Sequence, residues 1–167
     1  MSWSAHDAEC EGVYRLIVES LMVAMPARVL MTASAAIILA LGVIHLIYTF
    51  RGPKLTPRDA ALQASMREAT LVITRETTLW KAWIGFNASH SFGAILFGLI
   101  YGYLALVHPV FLFESRFLLA VGLCLLGGYL VLGKLYWFSV PFTGIALASI
   151  CYVAALVVGL TSQWGNA

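Results

Sequence analysis

Charge is what this sequence has least of. Asp, Glu, Lys and Arg make up 11% of its 167 residues, against 61% apolar ones, and mean hydropathy is +0.89. Soluble domains carry about 25% charged residues, so a soluble globular protein is excluded and an integral membrane protein is expected. The charges that remain nearly cancel, at +2 with His neutral. That is too little for a basic face of the kind nucleic acid requires, and no nucleic-acid partner is expected.

Cysteine is also scarce. Cys10, Cys124 and Cys151 share no metal-type spacing, and the last two sit in apolar runs, where they are expected as small buried hydrophobes. Lys and Arg are missing from the first twelve residues, which hold Asp7, Glu9 and Glu11 instead. The basic start of a cleaved signal peptide is therefore absent, and the amino terminus is expected to be retained. Neither an internal repeat nor a low-complexity tract is found, and the chain is long enough for a single membrane domain over 1–167.

What is present in quantity is long apolar segments. A span needs about 20 mainly apolar residues, and four such runs nearly exhaust the chain: about 29–50, 83–107, 113–132 and 140–160. Helices are the open-ended way to satisfy the backbone in lipid, so the fold class expected is all-α, a four-helix transmembrane bundle. Before the first span, Glu11, Arg15 and Glu19 alternate with a stripe of Val13, Ile17, Leu21 and Met25. This pattern predicts an amino-terminal interfacial helix over 13–25 that breaks at Pro26. In the first connection, Thr56-Pro57-Arg58-Asp59 reads as a helix start with Thr56 as N-cap. Leu62, Met66, Ala69, Ile73 and Trp80 follow at helical spacing and predict one amphipathic helix across the loop. Gly133-Lys134 is expected to open a short aromatic hairpin that closes at Pro141.

Basic residues give the orientation. Arg51, Lys54, Arg58, Arg67, Arg75 and Lys81 lie in the first connection and Lys134 in the third, whereas Arg15, Arg28 and Arg116 lie on the other side. The positive-inside rule puts both connections in the cytoplasm and both termini outside, in a bacterial inner membrane. Trp80, Trp83, Tyr136, Trp137 and Trp164 fall at boundaries, as aromatic belts do.

The polar choices inside the spans mark the candidate site. Span two opens with Trp80-Lys81-Ala82-Trp83-Ile84-Gly85-Phe86-Asn87-Ala88-Ser89-His90-Ser91, and an ionisable residue within a span is a site hypothesis that needs a partner. His45 supplies one. Counted from the shared cytoplasmic boundary at about 1.5 Å per residue, His45 and His90 both lie roughly 8 to 10 Å deep. Spacings of three and four put Asn87, His90, Ser91, Ala94, Gly98 and Tyr101 on one face of span two. Ala35, Ile38, Gly42, His45 and Thr49 form a matching face on span one.

Four readings of these faces stand open. Small and polar residues are ordinary interhelical glue, and Ala94, Gly98 and Gly102 form a small-xxx-small series. The chain would then be a structural or accessory subunit packed against partner membrane helices. Alternatively, His45, His90, Asn87, Ser91, Tyr48 and Thr49 form a polar pocket between spans one and two for a lipid or other small amphiphile. A third reading has His45 and His90 ligating haem b axially, with Arg51, Lys54 and Lys81 near its propionates. Catalysis lacks support: no carboxylate within a span orients either His, Glu114 lies at the outer boundary, and Ser89 diverges from His90 on the helix. No catalytic and no metal-ligand residue is assigned.

The segments Arg51-Gly52-Pro53-Lys54-Leu55-Thr56-Pro57-Arg58-Asp59, Ile73-Thr74-Arg75-Glu76-Thr77-Thr78-Leu79-Trp80-Lys81-Ala82-Trp83 and Gly85-Phe86-Asn87-Ala88-Ser89-His90-Ser91 together resemble a family of small bacterial four-span membrane proteins without an assigned activity. The resemblance covers roughly 29–107 and leaves out the amino-terminal helix. It implies a bundle architecture and directs interest to the polar segment, and it carries over no function.

Overall fold

The computed structural model describes the backbone of residues 3–164 and the side chains of residues 25–161. Its elements are α1 (Trp3–Phe50), α2 (Ala60–Glu68), β1 (Thr70–Leu71), β2 (Thr74–Thr78), α3 (Leu79–Val107), α4 (Pro109–Glu114), α5 (Arg116–Tyr136) and α6 (Ser139–Trp164). Among the described residues, four stretches are long and apolar enough to cross a membrane: Met25–Phe50, Leu79–Val107, Arg116–Tyr136 and Ser139–Thr161. The chain is a polytopic, all-α membrane protein.

Helix starts follow local capping chemistry. Thr78 accepts from the Lys81 amide at 3.4 Å and begins α3 four residues earlier than expected. Ser115 accepts from the Leu118 amide at 3.3 Å, so residues 113 and 114 belong to α4 and not to the third span. Such caps satisfy donors that a helix start leaves open. The aromatic hairpin expected up to Pro141 is shorter than that. Helix α5 continues through Tyr136 and α6 begins at Ser139, which puts Pro141 in a first turn where its missing donor is harmless.

Two other expectations are corrected. Helix α1 runs through Pro26 without interruption. Proline has a helical φ and costs one donor and a ring clash with the carbonyl four residues back, but the flanking Leu21-Met22-Val23-Ala24-Met25 and Ala27-Arg28-Val29-Leu30-Met31 contain no turn residue to help it end a helix. The side chains of 13–24, on which the interfacial placement rests, lie outside the described residues. The first connection is not one helix either. Asp59, not Thr56, caps α2, accepting from the Ala61 amide at 2.8 Å, while Thr56 closes a turn on the Pro53 carbonyl at 2.9 Å. After Glu68 the chain turns extended at Ala69 and forms an antiparallel hairpin with Thr70 opposite Thr78. Thr70, Val72, Ile73, Thr74, Thr77 and Thr78 are β-branched, which favours a pleated strand over a helix.

The bundle closes around Met31, Ala35, Ile38, Ala94, Phe97, Tyr101, Leu126, Ile145, Ala148 and Tyr152. Helix α1 packs most extensively on α3 and next on α6. Its contact with α3 is close: a methyl group on Gly98 would sit 2.5 Å from Leu39 Cβ, and one on Gly42 would sit 2.9 Å from Ala94 Cβ. Helices α3 and α5 instead meet mainly through long side chains. Tyr101 donates to the Leu118 carbonyl at 2.5 Å, and Tyr152 of α6 donates to the Leu119 carbonyl at 2.9 Å. Both rings reach the α5 backbone because Gly122 has no side chain there. Arg28 ties α1 to the far end of α3, donating to the Ala105 and Leu106 carbonyls at 3.3 and 3.0 Å. Cys124 is exposed and Cys151 half-buried; the expected burial fails for Cys124 because its position faces outward on α5.

Candidate functional site

Asn87 organises the polar centre. Its amide Nδ2 donates to the Trp83 carbonyl one turn back at 2.8 Å, and this fixes Oδ1 as the atom presented to α1. His45 Nε2 lies 3.1 Å from that oxygen, so Nε2 carries the proton and donates. Around this bond the helices use their own carbonyls: Ser91 donates to the Asn87 carbonyl at 2.9 Å and Thr49 to the His45 carbonyl at 2.8 Å. Asn87, Ser91 and Thr49 are buried. Burial demands such partners, because an unpaired polar group in an apolar interior costs free energy.

His90 completes the cluster differently. Its ring meets His45 edge to face at 5.6 Å between centroids. It also packs edge-on against Trp137 at 4.7 Å and Tyr129 at 5.2 Å, and lies parallel to Phe86 at 6.4 Å. Among the described residues it makes no hydrogen bond, and neither does the hydroxyl of Tyr129 nor the indole N–H of Trp137. Three side chains able to donate thus converge at one end of α3 and α5 without using that capacity on the protein.

The predicted residues therefore separate into two places. His45, Asn87, Ser91 and His90 meet between α1, α3 and α5. Tyr48 and Thr49 lie toward the loop, where they line a recess of about 340 Å³ together with Phe50, Leu55, Thr56, Gln63, Arg67 and Trp80. Tyr48 is 39% exposed. Ser89 points away and binds its own helix, donating to the Phe86 carbonyl at 2.9 Å.

Tyr129 and Trp137 were not among the residues singled out from sequence. The sequence assigns Trp137 to the interfacial belt and gives Tyr129 no separate reading. Helical spacing within one segment cannot show that another segment brings its aromatics to His90. Their shared ability to donate hydrogen bonds was the available signal.

The cluster offers hydrogen-bond donors and acceptors among aromatic rings. Among the described residues no group of three His, Cys, Asp or Glu side chains is arranged to hold a metal ion. Haem ligation by His45 and His90 would require His45 to give up Asn87 or bind through its other nitrogen. It would also require a macrocycle where Phe86, Tyr129 and Trp137 already pack. Comparison of the chain with protein families, curated proteins and solved structures finds no match.

Proposed function

We propose that this membrane protein binds a small amphiphile or lipid at the polar centre between its first three spans. The observation that carries the reading is the unengaged hydrogen-bonding capacity of His90, Tyr129 and Trp137 within a mainly apolar surround. Ligand sites combine apolar lining with a few convergent polar groups. His90 and Tyr129 would bind the polar end of the ligand, and Trp137 and Phe86 would flank its apolar part. The His45–Asn87 bond holds α1 and α3 in register, so that His90 is presented at a fixed depth. Because α3 and α5 are joined by side chains more than by close backbones, a ligand arriving from lipid would enter between them by displacing side chains.

The accessory-subunit reading draws less support. Asn87, Ser91, Ala94 and Gly98 are buried within the chain, so the face meant for a partner helix is already occupied by α1. We take the protein to lie in a bacterial inner membrane with both termini outside, on the distribution of basic residues.

Ring-preserving substitutions test the site. Native mass spectrometry of protein kept in lipid nanodiscs should detect a bound amphiphile on the unaltered chain. His90→Phe and Tyr129→Phe, which keep the ring contacts, should each weaken its retention about tenfold by removing one hydrogen bond to a polar group. Equal retention on all three proteins, or none on the unaltered chain, would defeat the reading. A Soret band lost on His45→Ala or His90→Ala would replace it with haem binding.

A further inference from the structure

The recess beyond Tyr48 lies about one helical turn nearer the loop than His45, and none of His45, Asn87, His90 or Ser91 lines it. Its lining is mixed in chemistry. Phe50, Leu55 and Ile84 are apolar, and Tyr48, Gln63 and Arg67 carry hydrogen-bonding groups. Phe50 ends the first span and Trp80 stands in the first turn of the second, so the recess sits where two spans leave the membrane.

Arg67 is the decisive residue. Its guanidinium lies over the Trp80 ring at 5.0 Å, and it has no carboxylate partner among the described residues. A guanidinium held over an indole face is attracted to the ring without using its N–H donors. The fork of donors on such an edge matches a phosphate or carboxylate in a bidentate manner. Gln63 and Tyr48 line the same recess, and neither the Gln63 side-chain amide nor the Tyr48 hydroxyl makes a hydrogen bond among the described residues.

The frame of the recess is held in place. Trp83 donates its indole N–H to the Leu55 carbonyl at 3.0 Å, pinning the loop to α3, and Thr56 is turned back onto Pro53. Lys54 stands over the Tyr48 ring at 5.4 Å, adding a second cation at the rim. From Arg51 to Lys81 six basic residues stand against Asp59, Glu68 and Glu76, so the whole connection carries excess positive charge. Anionic leaflets attract basic segments of this kind.

We propose that this recess is a binding site for the phosphate-bearing headgroup of an anionic phospholipid, with Arg67 as the principal contact. Gln63 and Tyr48 complete the polar side, and Phe50, Leu55 and Ile84 receive the glycerol end and the start of the acyl chains. The site is separate from the one at His90 and does not depend on it.

The test uses the full chain in mild detergent, titrated with three probes: a short-chain phosphatidylglycerol, a phosphatidylcholine of the same chain length, and inorganic phosphate. Binding is read by native mass spectrometry and by thermal stabilisation. The phosphatidylglycerol should bind in preference to the other two, and Arg67→Ala should weaken it about tenfold or more, as loss of a charge-assisted contact does. Gln63→Leu should weaken it less. Arg58→Ala and Arg75→Ala, which remove the same charge from the same connection outside the recess, should change it less than threefold. An equal loss in Arg58→Ala and Arg67→Ala would overturn the site in favour of diffuse attraction. Equal binding of phosphatidylcholine would overturn the anionic assignment, and inorganic phosphate binding as tightly as the lipid would overturn the lipid assignment. Should Arg67→Ala fail to fold, Arg67→Gln together with Gln63→Leu carries the same comparison.

Discussion

His45 Nε2 donates to Asn87 Oδ1 at 3.1 Å, joining the first span to the second across 42 positions of sequence. The bond is directional because Asn87 spends its own N–H on Trp83. It fixes the tautomer of His45 and sets the rotation of α1 against α3 at the depth where His90 meets its aromatic neighbours.

A double-mutant cycle on His45→Ala and Asn87→Ala should therefore give a coupling energy of about 0.6 to 1.7 kcal/mol, the span measured for hydrogen bonds between membrane helices. Unfolding of detergent-solubilised protein by a denaturing detergent gives the four stabilities. Strictly additive losses would mean that the bond does not stabilise the helix pair.

Gly98 and Gly102 sit one turn apart and should respond differently to the same change. A methyl on Gly98 meets Leu39 Cβ and the Ala35 carbonyl, whereas on Gly102 it finds Ala35 Cβ at an ordinary 3.6 Å. Gly98→Ala is expected to cost about 1 to 3 kcal/mol, the range for overpacking a filled interface, and Gly102→Ala close to nothing. Melting temperatures of the two variants side by side decide the matter.

Arg28 holds two carbonyls in the last turn of α3, a position that otherwise leaves acceptors open and carries partial negative charge. Arg28→Ala should lower stability by about 1 kcal/mol, and Arg28→Lys, which keeps the charge without the fork, by part of that. Amide exchange should rise over residues 104–107 in Arg28→Ala. Unchanged protection there would show that the contact does not hold the helix end.

Val72 at the hairpin tip is fully exposed and lies in the basic connection that the positive-inside rule assigns to the cytoplasm. With the native cysteines replaced, Val72→Cys should react with a membrane-impermeant maleimide only after the cells are permeabilised. Labelling of intact cells would invert the topology.

The periodicities of the two facing helices were legible in the sequence because each is set by one segment alone. Asn87, Ser91, Ala94, Gly98 and Tyr101 are buried on α3 as their spacing requires, and Ala35, Ile38, Gly42 and Thr49 on α1. Residues 70–78 were read wrongly because widely spaced apolar residues suggested a helix, while β-branching throughout the segment favoured a strand. Pro26 is a similar case, since the local cost of a proline does not end a helix whose flanks are mostly good helix formers and hold no turn residue.

Composition and helical period thus determined a four-span membrane bundle, and matched depth from a shared boundary determined that His45 and His90 stand together. Tertiary structure alone decided that Asn87 takes His45 as its partner while His90 turns to Tyr129 and Trp137 on α5, and that Tyr48 joins Arg67 in a separate recess. The physical reason lies in where the constraints come from. Burial in lipid and backbone hydrogen bonding act along each segment and leave a period in its residues, whereas the azimuth of one helix against another is fixed by contacts such as Gly98 on Leu39, between residues far apart in the chain.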